Sequence, residues 1–183
     1  HNLDLFHNND TLTIQLKKPD PCAPIVVVGA RDTIGAHISR FTFAGIDNGP
    51  GLPLFNCPVS VSGTGMYSDF TQTVPPGFVV PGQPFPITIV NSFTTNAGAT
   101  LWKYVYLDMN RDNQFTADEL IFSRLSVSAP TTGNPGNATT TGFTNPINIT
   151  ADTGLTRLRV ITVSQNLAVN LAPCAAFPTG ETE

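Results

Sequence analysis

Hydrophobic and polar residues alternate with a period of two along much of the chain. Thr11 to Leu16 (TLTIQL) places Leu12, Ile14 and Leu16 on one face, the pattern of a half-buried strand. Ile25 to Val28 and Ile38 to Ile46 (ISRFTFAGI) are rich in β-branched and aromatic residues, and Asp47-Asn48-Gly49-Pro50-Gly51 closes the second of them as a turn cluster. Val59 to Val61 alternates again. The passage from Val74 to Pro86 is too rich in proline for anything but loop or edge structure, and Ile87 to Val90 resumes the sheet. Leu101 to Leu107 carries Trp102, Tyr104 and Tyr106 on one face and Leu101, Val105 and Leu107 on the other, which predicts a central strand covered on both sides. Ile121 to Val127 is a further strand, with Ile121, Leu125 and Val127 in register. A Thr/Asn/Gly/Pro loop of low complexity follows over Ala129 to Gly142. Pro146 to Ile149 and Leu155 to Val163 complete the set, with Leu158 and Val160 inward and Arg157 and Arg159 on the opposite face. About eight strands and no helix predict an all-β fold, a single β-sandwich of jelly-roll or Ig-like kind with long Pro/Gly/Thr-rich loops.

Composition agrees. At 183 residues the chain suits one domain with a sizeable core, and only 12% charged residues beside 15 Gly and 16 Pro argue against a helical bundle. Lys17 to Pro24 holds three prolines and reads as a linker, setting residues 1–21, an N-terminal strand and linker, apart from a sandwich over 22–183. A net charge of −4 with scattered Lys and Arg offers no footprint for nucleic acid or an anionic membrane, and no apolar run is long enough for a helical span. The first residue is His1, which fits a cleaved export signal or a segment of a longer precursor, and the expected setting is extracellular. Cys22, Cys57 and Cys174 allow one disulfide in any of three pairings; all three lie beside Pro in loop-like context, as loop-closing bridges do.

Asp108 to Glu119 (DMNRDNQFTADE) changes the picture most. With Asp108 as position 1, Asn110 stands at 3, Asp112 at 5, the carbonyl of Gln114 at 7, apolar Phe115 at 8 and Glu119 at 12, the register of a calcium loop. A hard cation needs six or more oxygens, and alternate residues of a tightly turning backbone supply them while the distant Glu closes the shell. Position 6, which needs positive φ and usually carries Gly, is Asn113, the next best residue for that region. Four carboxylates within twelve residues of a charge-poor chain repel one another unless a cation joins them. The loop follows a strand, so the helix-loop-helix unit is not implied.

Several stretches resemble the GEVED domain, a module of secreted and cell-surface bacterial proteins. Ile38 to Phe43 with Gly45-Ile46-Asp47-Asn48 resembles its opening strand and turn, and Tyr67 to Thr71 its Y-x-D-[FY]-T. Tyr106 to Asp112 resembles W-x-D-x-N-x-D, Gly154 to Val160 resembles G-x-T-R-x-R-V, and Pro173-Cys174 with Gly180 to Glu183 resembles P-C and G-E-x-E. The resemblance implies a β-sandwich appended to or repeated in exported proteins such as adhesins and peptidases, without catalysis of its own, and Ca2+ at Asp108, Asn110, Asp112 and Glu119. Tyr106 stands where the family has Trp and Asn113 where it has Gly. The family motif continues into a final strand, whereas this chain stops at Glu183, so the expected sandwich lacks its last strand.

No hydrolase, zinc-protease, Walker or dinucleotide pattern is present, and no catalytic residue is assigned. The expectation is therefore a non-enzymatic, calcium-stabilised structural or adhesion module of a bacterial surface protein or self-assembling fibre. Residues 11–16 of one copy would complete the sheet of the next by strand donation. Its partners would be further copies, neighbouring domains, or a glycan or surface ligand. One alternative is an accessory carbohydrate-binding domain, with Trp102, Tyr104 and Tyr106 as a stacking platform and Arg157 and Arg159 gripping an acidic group, although an aromatic row on a central strand is more often core. A copper oxygenase using His1 with His7 or His37 is the remaining enzyme reading.

Overall fold

A computed structural model describes residues 36–49, 69–93, 100–127, 136–149, 154–164, 172–174 and 180–182. Among these are eight strands: β1 (Ala36–Phe43), β2 (Ile46–Asp47), β3 (Pro86–Phe93), β4 (Thr100–Leu107), β5 (Leu120–Val127), β6 (Gly136–Phe143), β7 (Leu158–Ser164) and β8 (Gly180–Thr182). They form two four-stranded antiparallel sheets, ordered β2-β1-β3-β6 and β5-β4-β7-β8, and the fold is an all-β sandwich. The predicted strands at Thr11–Leu16, Ile25–Val28 and Val59–Val61, the boundary near residue 21, and His1, His7, Cys22 and Cys57 lie outside the described residues.

The core between the sheets follows from the period-two pattern. Ile38, Phe41, Phe43, Ile87 and Ile89 from the first sheet meet Val105, Leu107, Ile121, Phe122 and Val160 from the second, and all are buried. A bulge between Ile38 and Arg40 shifts the alternation of β1, so Ile38 and Phe41 both face inward despite odd spacing. The Gly45-Ile46-Asp47-Asn48 turn is tied back to β1. Arg40 Nε and Nη2 donate to the two carboxylate oxygens of Asp47 at 3.0 and 2.6 Å, and the Phe41 N–H donates to Asn48 Oδ1 at 2.5 Å. A Cβ at Gly49 would stand 2.9 Å from Arg40 Cα, so the turn admits nothing larger there.

β4 is central, paired with β5 on one side and β7 on the other, as its two apolar faces predict. Its outer face is not bare: Tyr104 and Tyr106 are buried with Phe115, Ile161 and Val163, and half-buried Trp102 stacks on Tyr104 at 5.8 Å. Tyr104 and Tyr106 are therefore core and do not present a stacking platform.

Four expectations need correction. Residues 136–142, read as part of the low-complexity loop, lie in β6, because full pairing with β3 supplies a ladder that a segment without apolar alternation does not announce. Pro146 to Ile149 is not a strand: Ile147 is buried, but its N–H goes to Gln83 and its carbonyl to Gly82, so the segment packs against the loop before β3. Leu125 is 38% exposed, opposite Trp102, since the bulge between Val105 and Tyr106 breaks the alternation that grouped it with Ile121. Arg159 is buried, where an exposed sheet arginine was expected; its guanidinium lies 4.6 Å over the Phe115 ring and donates to the Pro173 carbonyl at 3.0 Å.

Candidate metal-binding loop

The loop starts as the β4 ladder ends. Asp108 N–H still pairs with the Arg157 carbonyl at 3.0 Å, and the Thr156 hydroxyl donates to the Asp108 carbonyl. Gly154 to Arg157 thus braces the first position of the loop from the neighbouring strand. The backbone then reverses through two left-handed residues, Arg111 (φ 58°) and Asn113 (φ 73°). Asn113 adopts the conformation that its place in the register predicts.

The side chains of Asp108, Asn110, Asp112 and Glu119 each accept a nearby N–H. Asn110 Oδ1 accepts from Asp112 N–H at 2.9 Å, and Asp112 Oδ1 from Gln114 N–H at 2.8 Å. Asn110 Nδ2 donates to Asp112 Oδ2 at 3.1 Å. These side-chain turns are what Asp and Asn favour when the backbone has no ladder to join. Asp108, 1% exposed, accepts the Asn113 N–H on Oδ2 at 3.0 Å, and its Oδ1 has no hydrogen-bond partner among the described residues.

The far end closes through a three-residue 3-10 turn, Ala117–Glu119. Glu119 is buried and reaches back across the loop: Oε1 accepts from Met109 N–H at 2.8 Å and Asn110 N–H at 3.4 Å, and Oε2 from Thr116 N–H at 3.0 Å. Asp118 points to solvent, and the Thr116 hydroxyl, with the backbone N–H of Asp118 itself, holds its carboxyl below the ordinary range. Phe115 anchors the loop in the outer apolar cluster of the second sheet, beneath Arg159.

The structure therefore gathers Asp108, Asn110, Asp112, Gln114 and Glu119 into one hydrogen-bonded turn. The described residues contain no cluster of three or more His, Cys, Asp or Glu side chains that could hold a metal by themselves, so a cation here would also need the Asn110 amide and backbone carbonyl oxygens. The donor chemistry fits a hard cation on one specific point. A buried carboxylate oxygen with no donor is costly, and Asp108 Oδ1 is such an atom at the position that begins a calcium-loop register. Asn110 and Glu119 oxygens that each accept a bond still carry acceptor capacity. Sequence reading missed the braces from Thr156 and Arg157; the signal was their place one step before β7, opposite the end of β4.

No described helix is long and apolar enough to cross a membrane. Comparison with curated proteins and with solved structures finds no match. The family model described as GEVED domain matches residues 102–183, a span that runs from β4 through the Asp108 to Glu119 loop to β8. A domain of this type suggests an extracellular or cell-surface module. From the aromatic strand to the closing Gly180-Glu181-Thr182-Glu183, this part of the chain is similar to the GEVED domain.

Proposed function

We propose that the chain is a non-enzymatic structural or adhesive module of an exported protein, with its Asp108 to Glu119 loop clamped by Ca2+. The observation that carries the calcium assignment is Asp108 Oδ1, buried and without a donor at the head of the loop. Asp108, Asn110, Asp112, the Gln114 carbonyl and Glu119 would hold the ion; the ion would supply positive charge to a turn rich in carboxylates. Without it the loop leans on backbone N–H groups, the Asn110 amide and the Thr156 hydroxyl. Titration of metal-stripped protein with CaCl2 in a calorimeter tests this: saturable binding to one site is expected, and no heat above dilution at millimolar calcium overturns it.

In the same proposal Cys174 takes part in a disulfide with Cys22 or Cys57, as befits an oxidising compartment. Assembly through strand donation would use an edge of the second sheet, where β8 is the outermost strand among the described residues. Residues 11–16 of a second copy would extend that edge. Light scattering on the chain with and without residues 1–16 checks it, and a monomer in both cases removes the assembly reading.

A further inference from the structure

We propose that Lys103 and Asn91 form a cross-linking site, in which the lysine amine and the asparagine carboxamide condense to an isopeptide bond joining the two sheets. Lys103 lies on β4 between Leu101 and Val105, facing the other sheet, and is 1% exposed. Lysine is almost never found this deep unless paired with an anion. Here the amine bonds to the Ser126 hydroxyl, and no carboxylate among the described residues bonds to it. Burial, with the like charge of Arg124, pushes it down to about 8, so the neutral, nucleophilic amine is accessible near physiological pH.

The electrophile sits across the sandwich. Asn91 on β3 of the first sheet is fully buried, and its Nδ2 donates to Thr162 Oγ1 at 3.4 Å. Thr162, also fully buried, is directly opposite Lys103 in the β4–β7 register. Side chains so paired have Cβ atoms about 4.5–5.5 Å apart. Lys103 and Asn91 therefore have Thr162 as a common neighbour in the buried interior; the amine itself rests on Ser126 of β5, on the other flank of β4, and reaches Asn91 once the lysine stem turns toward β7.

The step balances without any co-reactant. The neutral Lys103 Nζ attacks Asn91 Cγ, the Nζ–Cγ bond forms and the Cγ–Nδ2 bond breaks. One proton passes from the attacking amine to the departing nitrogen, with the Thr162 hydroxyl, 3.4 Å from that nitrogen, as relay, and ammonia leaves. Enclosure of the pair excludes water from the competing hydrolysis. The bond would lock β3 to β4 across the core, a device suited to a surface module under load.

Intact-mass measurement of the reduced, purified chain tests this. The expected result is a mass one ammonia below that of the sequence, with a branched peptide linking positions 91 and 103 after proteolysis. N91A and K103R should each restore the mass expected from their own sequences. A wild-type mass equal to the sequence, or an ammonia loss without the branched peptide, as from a succinimide, overturns the proposal. The wild-type measurement decides even if both variants fail to fold.

Discussion

Replacing Asp108 by Asn separates a metal ligand from an ordinary buried acceptor. The substitution keeps an oxygen for the Asn113 N–H at 3.0 Å and removes the charge on the oxygen that has no donor. In chelator the cost should therefore be small, within about 1 kcal/mol, because a hydrogen bond is retained and a buried charge is relieved. In calcium the outcome differs. Extracellular calcium modules bind with Kd of roughly 10⁻⁴ to 10⁻³ M. At about 10 mM calcium the wild type then gains roughly 1.4–2.7 kcal/mol by mass action, and D108N should lose that gain. For a domain of this size the gain corresponds to a rise in Tm of about 3–10 °C. The assay is thermal unfolding followed by circular dichroism, wild type and D108N, each in calcium and in chelator. The wild type should melt higher in calcium, while the variant should melt at one temperature in both. Equal wild-type curves in the two media, or a D108N deficit of the same size in both, would refute the reasoning.

Tyr106, which burial and neighbouring Tyr104 push up to about 12 from 10.0, favours the neutral phenol when folded. Its stability contribution is intact below about pH 10 and falls as pH rises toward 12, by at most about 3 kcal/mol; denaturant melts across that range should show the fall, and Y106F should flatten it. Lys103 gives a separate test in N91A, where the amine stays free: folding favours the neutral form, so stability should drop as pH falls from 10.5 to about 8 and level off below, whereas the cross-linked wild type should lack this slope. I147A should cost about 2–5 kcal/mol by urea unfolding although Ile147 lies outside any strand, because its side chain is fully buried in the inter-sheet core. D47A should change stability by no more than about 1 kcal/mol in the same assay, since the Arg40 pair it removes is partly solvated.

The parts of the fold legible in sequence are those where one local pattern has one meaning. Alternation over Leu101 to Leu107 could only be a strand with two covered faces, and β4 is that strand. The spacing of Asp108, Asn110, Asp112 and Asn113 is legible for the same reason, since short polar side chains bond within a residue or two and shape their own turn. Pattern failed where pairing is not local. β6 reads as loop because Gly136, Asn137 and Gly142 punctuate its threonines and no alternating apolar residues mark a face, and its register with β3 makes it a strand. Ile147 looks like part of a strand, yet its backbone bonds go to a loop some 60 residues earlier in the chain.

By itself the sequence determined the class of fold, the central strand and the turn that leaves it, because period-two burial and Asp/Asn turn chemistry act over a few residues. Tertiary structure alone decided which groups were left without local partners. Asp108 Oδ1 is stranded because the Gly154 to Arg157 strand entry buries the loop's first residue. Lys103 is buried because it lies on the inner face of a central strand, which the other sheet covers, with Thr162 opposite it in the register and Asn91 bonded to Thr162. Desolvation depends on everything that packs around a group, and a one-dimensional pattern does not contain that sum.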